Sequence, residues 1–195
     1  KYKQIPMGII VLVSGSLFRD DLLDTLDLFS RSLALALHNA MVHDQVQRLA
    51  AIDPLTGIYN RRFGMTRLHE EFVRAVQIES AIGLLMLDID HFKAVNDTYG
   101  HSLGDRVIRQ IATIAREALR EGDILIRLGG DEFMAVLLGA SLHDVSVTAE
   151  RIRRQVDERV ISFGDQRVQV TVSIGGVSFP EKEVAGEQEL IDAAD

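Results

Sequence analysis

The stretch IRLGGDEFMAV, residues 126–136, decides the fold that this chain is expected to adopt. An apolar run, two glycines, two carboxylates and a second apolar run follow one another, which predicts two antiparallel strands joined by a tight turn. Carboxylates are costly to bury, so Asp131 and Glu132 need a reason to stand at the tip of a hairpin. The simplest alternative is an ordinary surface turn whose acids only increase solubility.

A second pair of acids ends the predicted buried strand AIGLLMLDID, residues 81–90. Asp88 and Asp90 are two residues apart, so both side chains are expected on one face of the sheet; the alternative is a strand end that simply meets solvent. Carboxylates from this strand end and from the hairpin tip would repel each other if no cation lay between them. Oxygen ligands, without cysteine or a histidine pair at metal-site spacing, favour Mg²⁺ or Mn²⁺ over Zn²⁺. Strand-end carboxylates that hold two such ions are suited to phosphoryl and nucleotidyl transfer.

The segment after this strand carries groups that suit a nucleotide. The backbone N–H groups of His91 and Phe92 stand where the strand becomes a loop, which favours phosphate binding, and Lys93 adds positive charge. Asn96 and Asp105 can recognise a base edge, because a carboxylate accepts the two N–H donors of guanine. On chemistry alone the structural alternatives are favoured: a solvated lysine, a loop turn at Asn96 and a helix N-cap at Asp105.

Length and composition limit the classes of function. The chain has 195 residues, 47% of them hydrophobic, which is enough for one full domain and an additional segment. Its net charge of −8 argues against a nucleic acid polymer as a partner. There is no cysteine, no visible signal peptide, and the apolar run at residues 7–13 is too short to span a bilayer. We therefore expect a cytoplasmic location and no membrane contact by this part of the protein, whose parent can still be membrane-attached.

Residues 21–52 contain no proline or glycine and predict one long helix, which follows a predicted strand at residues 7–13. One apolar stripe has heptad spacing, at Leu28, Leu35, Val42 and Leu49. A second stripe runs through Leu26, Phe29, Leu33 and Leu37. A helix packed on its own domain needs only one stripe, so the two stripes favour a homodimer formed through residues 21–52.

The remaining patterns alternate between helices and strands. Helices are predicted over residues 61–78, with Asn60 as the N-cap, and over residues 105–121 and 142–160. Residues 168–179, VQVTVSIGGVSF, alternate as one strand. This order predicts an α/β or α+β fold, in which helices cover the faces of a sheet.

Four motifs in this order resemble the GGDEF-domain diguanylate cyclases over residues 51–195: DPLTGIYNRR, LDIDHFKAVNDTYGHSLGD, RLGGDEF and TVSIGG. The resemblance implies a central, mostly antiparallel sheet with helices on both faces, similar to the palm of polymerases and adenylyl cyclases. It also implies that two GTP molecules are condensed into cyclic di-GMP with release of two pyrophosphates. In that family each subunit of a dimer holds one GTP, and each 3′-hydroxyl attacks the other α-phosphate.

The resemblance assigns roles to the acids. Asp88 and Asp131 become ligands of Mg²⁺ or Mn²⁺, assisted by the carbonyl of Ile89. The pair Asp131 and Glu132 also supplies the base that removes the 3′-proton. Because side chains alternate along a strand, we expect only one of this pair to face the metal directly, and the family pattern favours Asp131.

The same resemblance makes His91, Phe92 and Lys93 the phosphate-binding residues. Asn96 and Asp105 become the guanine-binding residues. A branch of the family that makes mixed cyclic GMP-AMP has serine where this chain has Asp105, so GTP is the expected substrate.

The motif RxxD, formed by Arg120 and Asp123, precedes GGDEF at the spacing of the family's inhibitory site. The resemblance implies that cyclic di-GMP binds there and inhibits synthesis. The alternative is structural, since Arg120 also suits the last turn of a helix and Gly122 suits a helix stop.

Residues 1–50 resemble, less specifically, the last strand and the signalling helix of a GAF-type sensor domain. Residues 51–195 then form a C-terminally truncated cyclase domain, because the family continues into a helix that carries a lysine and an arginine for the phosphates. We therefore expect synthesis from the full-length protein, while the isolated fragment can be inactive. Two alternatives stay open: a silent module that senses cyclic di-GMP or GTP, and a purely structural dimerisation segment.

Overall fold

The computed structural model describes residue 11 and residues 20–49, 51–164 and 166–195. Apart from residue 11, the strand expected at residues 7–13 lies outside the described residues. Contacts divide the chain into two compact units, Lys1–Ala50 and Ala51–Asp195. Among the described residues, no helix is both long enough and apolar enough to cross a membrane.

The first unit contributes one long helix, α1, at Asp20–Leu49. It ends before residue 52, where the expected helix ended, because Ile52 instead forms a β-bridge with Tyr59. Apolar side chains of both stripes are exposed along α1, namely Leu28, Phe29, Leu33, Leu35, Leu37 and Val42. The side chain of Leu49 lies outside the described part of the helix.

The second unit is built on a five-stranded sheet with the order β1-β3-β4-β2-β7. Its strands are β1 at Tyr59–Asn60, β2 at Ile82–Ile89, β3 at Ile124–Gly129, β4 at Glu132–Leu138 and β7 at Val172–Phe179. The pairs β3–β4, β4–β2 and β2–β7 are antiparallel, and only β1–β3 is parallel. The expected, mostly antiparallel sheet is therefore confirmed.

Helices cover both faces of this sheet, as expected. They are α2 at Arg61–Gln77, α3 at Phe92–Tyr99, α4 at His101–Ala118, α5 at Leu142–Asp157 and α6 at Glu187–Ala194. Side chains of α3, α4 and α5 pack in one core with Leu85 and Leu87 of β2. Side chains of α2 and α6 pack in a second core with Ile82 and Leu84. Since side chains of a strand alternate, the strand-end residue Asp88 leaves β2 on the α2 and α6 side.

The expected N-cap of α2 is confirmed, because Asn60 Oδ1 accepts a hydrogen bond of 3.0 Å from the Phe63 N–H. The expected start of α4 at residue 105 is wrong. The helix begins at His101 with Gly100 as its N-cap, and Gly100 has the positive φ of 82° that separates α3 from α4.

The single strand expected over residues 168–179 is two strands. Residues Gln166–Gln169 form β6, which pairs with β5 at Val160–Phe163 in a separate hairpin. Only β7 joins the main sheet. The two strands part at residues 170 and 171, where Thr171 bonds to the loop after β2 instead of to a strand.

Candidate active site

The hairpin of β3 and β4 presents the GGDE turn at one end of the sheet. Gly129 and Gly130 have φ values of 151° and 53°, which favour glycine. A β-carbon on either glycine would meet no atom within 4 Å, so the space over the turn is open to a ligand. A register shift between Arg127 and Gly129 twists the hairpin locally, as bulges near functional sites often do.

Arg127 fixes the position of this turn. Its Nε and Nη2 donate to the carbonyl oxygen of Gly130 at 3.2 and 2.8 Å. Its Nη1 donates to both carboxylate oxygens of Asp53, at 3.1 and 3.2 Å. Burial alone raises the pKa of Asp53, but hydrogen bonds from Thr56 and Arg127 outweigh this and hold the pKa below its usual value. Sequence reasoning missed this pair, although an arginine inside an apolar strand beside the turn was a usable signal.

The strand-end acid and the hairpin acids lie together. Asp88 is the cross-strand partner of Glu132, and paired residues of adjacent strands leave the sheet on the same face. Neighbouring protein removes part of the water around Asp88, which raises the pKa of its carboxyl group. The charge of Asp131 raises this pKa further, followed by the charges of Glu132 and Asp90. Both hairpin acids therefore act on Asp88, and Asp131 acts more strongly.

Asp90 has different surroundings from Asp88. Its carboxylate accepts hydrogen bonds from the hydroxyls of Ser173, at 2.6 Å, and Thr171, and these bonds lower its pKa. Its N–H also donates to the Thr171 carbonyl oxygen at 3.0 Å. Asp90 therefore attaches the loop after β2 to β7, while Asp88, Asp131 and Glu132 stay available at the turn.

The N-terminus of α3 has the donors expected of a phosphate site. His91 precedes the helix in the left-handed region, with φ 56° and ψ 27°, and its side chain does not cap the helix. No described residue accepts a hydrogen bond from the N–H of His91 or Phe92. Lys93 is exposed in the first turn. The helix end that follows β2 thus carries two backbone donors without an acceptor among the described residues, and an exposed lysine.

The two residues expected to bind guanine lie on consecutive helices. Asn96 of α3 is half-buried, and no polar group in the described part of the chain bonds to its side-chain amide. Asp105 lies inside α4, whose N-cap is Gly100, so the helix-cap alternative for Asp105 is wrong. The guanidinium of Arg109 lies 3.9 Å from the carboxylate of Asp105. Neither side chain is engaged in a close hydrogen bond within the described residues.

The RxxD residues are close together, in the turn between α4 and β3. Oδ2 of Asp123 accepts from the backbone N–H of Arg120 at 3.0 Å, and Oδ1 accepts from the N–H of Leu138 at 3.1 Å. The side chain of Arg120 is 73% exposed, and its guanidinium lies 3.7 Å from the carboxylate of Asp144. Asp123 therefore holds the turn, whereas the Arg120 side chain extends into solvent.

Comparison with known proteins agrees with these motifs and this geometry. The profile of the family described as "Diguanylate cyclase, GGDEF domain" matches residues 50–195. This chain belongs to the GGDEF family. It is 32% identical over 165 residues to diguanylate cyclase A of Treponema denticola, which covers 83% of this chain and 43% of that protein.

Two further comparisons agree with this family. It is 38% identical over 154 residues to the diguanylate cyclase DgcP of Pseudomonas aeruginosa, which covers 79% of this chain and 22% of that protein. The chain thus spans less than half the length of these curated relatives. The solved coiled coil and GGDEF domain of DgcB from Caulobacter crescentus, in complex with c-di-GMP, matches with a TM-score of 0.73 at 29% identity, over 88% of this chain and 90% of that chain.

GGDEF diguanylate cyclases generally use a divalent metal ion. In the described part of this chain, no three His, Cys, Asp or Glu side chains already stand in a metal-holding arrangement. The donor chemistry nevertheless fits a hard cation, because the acids around Asp88 are all oxygen donors, and their charges add to the effect of burial in raising the pKa of Asp88. A divalent cation would remove that repulsion.

Proposed function

We propose that the full-length protein is a diguanylate cyclase that condenses two GTP molecules into cyclic di-GMP and two pyrophosphates. The observation that carries this proposal is the convergence of Asp88 with Asp131 and Glu132 beside two glycines that leave the turn open. Family membership and the c-di-GMP complex of DgcB support it.

The proposed metal ligands are Asp88, Asp131 and the carbonyl oxygen of Ile89, which would hold Mg²⁺ or Mn²⁺. When bound, such ions make a hydroxyl more acidic and stabilise the charge of the leaving pyrophosphate. The pair Asp131 and Glu132 accepts the 3′-proton. Glu132 is suited to this role because it leaves the sheet on the same face as Asp88 and is exposed.

The remaining site residues orient GTP. The N–H groups of His91 and Phe92 and the ammonium group of Lys93 bind phosphate oxygens, because they are free donors at one helix end. Asn96 and Asp105 bind the guanine edge, since neither side chain is engaged in a close hydrogen bond within the described residues. The bound base then fixes the α-phosphate at the strand end.

We also propose that the protein acts as a homodimer through residues 21–52, with two cyclase domains face to face. The exposed apolar side chains of α1 support this, since a single helix with two apolar stripes needs a partner to cover them. Residues 1–50 would then be the end of a GAF-type sensor and its signalling helix, in a cytoplasmic protein. The likeness to a coiled coil joined to a GGDEF domain supports the signalling helix.

Arg120 and Asp123 would form an inhibitory site for cyclic di-GMP. The exposed guanidinium of Arg120 supports this role, because guanidinium groups bind guanine or phosphate through two parallel hydrogen bonds. The same exposed side chain supports the alternative function, a catalytically silent module that senses cyclic di-GMP.

The test uses the full-length protein with GTP and Mg²⁺, and compares wild type with Asp131→Asn and Glu132→Gln. We expect Asp131→Asn to abolish synthesis and to weaken Mg²⁺ binding in calorimetry, because a charged ligand is lost. Glu132→Gln, if this residue is the base, lowers kcat and leaves Mg²⁺ affinity nearly unchanged. Near-normal product formation by Asp131→Asn would show that Asp131 is not a metal ligand. A wild type that binds cyclic di-GMP but never consumes GTP would establish the sensing module instead.

A further inference from the structure

Gly104 lies in α4, one residue before Asp105, and is buried. Its backbone is not in the left-handed region, so the turn chemistry that usually explains a glycine does not apply. A glycine inside a helix also lowers helix stability relative to alanine. A reason other than backbone conformation must therefore exist for a glycine at this position.

The reason is the side chain of Asn96. A β-carbon added to Gly104 would lie 2.0 Å from Oδ1 and 3.0 Å from Cγ of Asn96, far inside normal contact distance. The next atom, Cζ of Phe92, would be 3.3 Å away. The end of the Asn96 side chain therefore occupies most of the space that an alanine at 104 would fill, and the Phe92 ring would shift only slightly.

No hydrogen bond within the described residues holds the amide of Asn96 in place. The close approach of Asn96 to Gly104 is thus a packing contact that limits where this amide can lie. The residue after Gly104 is Asp105, so the same turn of α4 carries the second proposed guanine ligand and the surface against which the first one rests.

We infer that Gly104 is a positioning residue for nucleobase recognition: its missing β-carbon lets the Asn96 amide lie against α4 beside Asp105. The inference rests on the proposed function, because it takes Asn96 as a guanine ligand. An alanine at position 104 displaces a flexible side-chain end and not the backbone, so the fold is retained and the amide is moved.

The test is a double-mutant cycle in the full-length protein: wild type, Gly104→Ala, Asn96→Ala and the two together. The probe is 3′-deoxy-GTP with Mg²⁺, which carries the same base and cannot react. Ser102→Ala is the matched control, since Ser102 is exposed in the same turn of α4. Thermal unfolding midpoints, and the split between KM and kcat with GTP, are measured alongside.

We expect Gly104→Ala to weaken binding of 3′-deoxy-GTP about ten-fold, the scale of one or two lost hydrogen bonds, with an unchanged or higher unfolding midpoint. Asn96→Ala weakens binding by a similar factor. The double variant binds no more weakly than Asn96→Ala, because the clash and the amide are both gone. Ser102→Ala binds like wild type, and KM rises more than kcat falls in Gly104→Ala.

Three outcomes overturn the inference in distinguishable ways. If Gly104→Ala binds like wild type while Asn96→Ala does not, Gly104 has no positioning role and the proposed function stands. If Gly104→Ala lowers affinity by the same factor with and without the Asn96 amide, the glycine serves only helix packing. If Asn96→Ala binds like wild type, or wild type does not bind the probe, the proposed guanine site itself is wrong and the inference falls with it.

Discussion

Two acidic regions of the GGDEF unit use their carboxylates in opposite ways. At the strand end, Asp88 stands opposite Glu132 with Asp131 nearby, and mutual repulsion contributes to its raised pKa. In the turn after α4, both oxygens of Asp123 accept backbone N–H groups, and the side chain of Arg120 is exposed. The first region therefore holds carboxylates that repel one another, whereas both carboxylate oxygens of the second accept hydrogen bonds from the backbone.

This difference shows how to separate acids that act on a ligand from acids that support the fold. A carboxylate that satisfies backbone donors contributes to stability, and its loss leaves those donors unpaired. A carboxylate that faces other carboxylates lowers stability, so a different reason must explain its presence. The comparison predicts that substitutions at the strand end mainly lower activity, whereas substitution of Asp123 in the turn after α4 also lowers stability.

The largest expected effect is the loss of synthesis in Asp88→Asn. If Asp88 is the metal ligand proposed above, its loss should lower kcat of the full-length protein with GTP and Mg²⁺ by at least about 100-fold, the scale of one lost charge-stabilising group. Glu117→Gln, which neutralises an exposed acid on α4, is the control and should leave kcat unchanged. Removal of Mg²⁺ with EDTA should abolish synthesis by wild type. If Asp88→Asn kept more than a tenth of the wild-type kcat, Asp88 would not be needed for synthesis, and the proposed difference between the two acidic regions would be wrong.

The next effect concerns base selection by Asp105, another acid without a close partner. Guanine offers two N–H donors that a carboxylate accepts, whereas adenine presents a bare N1 acceptor at the same edge. Asp105→Ser should therefore narrow the preference for GTP over ATP by at least about ten-fold. The measurement is the ratio of kcat/KM for cyclic di-GMP formation from GTP to kcat/KM for cyclic di-AMP formation from ATP. Equal use of both nucleotides by wild type would show that Asp105 does not read the base.

A smaller effect separates the two residues of the RxxD turn. Arg120→Ala should raise the inhibition constant of cyclic di-GMP about ten-fold or more, with an unchanged initial rate and unchanged unfolding free energy. Asp123→Ala should also destabilise the protein by about 1 kcal/mol, because two backbone N–H groups lose their acceptor. Unchanged cyclic di-GMP affinity of Arg120→Ala in calorimetry would leave Arg120 as a helix-end charge.

The sequence predicts the sheet, its hairpin and most helices because those patterns are local. It fails at α4, where Asp105 has the chemistry of a cap but Gly100 makes the turn. It also fails at the break between β6 and β7, because Val168 and Val172 are both buried and the alternation continues unchanged across the break. Periodicity reports burial and not the identity of the partner strand.

The sequence predicts the parts of the candidate site whose residues belong to one motif. It does not predict the contacts between residues that are far apart in the sequence. The sequence identifies the acids at the strand end and at the hairpin tip. It does not show that Arg127 binds Asp53, 74 residues away, or that Asp90 binds Ser173, 83 residues away. Only tertiary packing brings those partners together, and it separates Asp90 from Asp88 in role although they are two residues apart.

The smallest effect is the pH dependence of stability without metal, and it sets Asp88 against Asp90. The pKa of Asp88 is raised above 3.8, so the folded state favours its neutral form, and stability is lost as the pH rises through the folded-state pKa. Asp88→Asn stays neutral and should therefore unfold at higher urea concentration than wild type at about pH 7, with the gap closing below about pH 4.

For Asp90 the sign is reversed. Hydrogen bonds from Ser173 and Thr171 lower its pKa below 3.8, so its contribution to stability is present above that value and is lost as the pH falls through the folded-state pKa. Asp90→Asn should be less stable than wild type at neutral pH, and the difference should shrink in acid.

Urea unfolding of both variants in EDTA, at neutral and acidic pH, measures whether each substitution raises or lowers the unfolding free energy. If both substitutions shifted stability in the same direction at neutral pH, repulsion at the strand end would not distinguish Asp88 from its neighbour. Addition of Mg²⁺ should then stabilise wild type more than Asp88→Asn, because only the carboxylate gains a cation to bind.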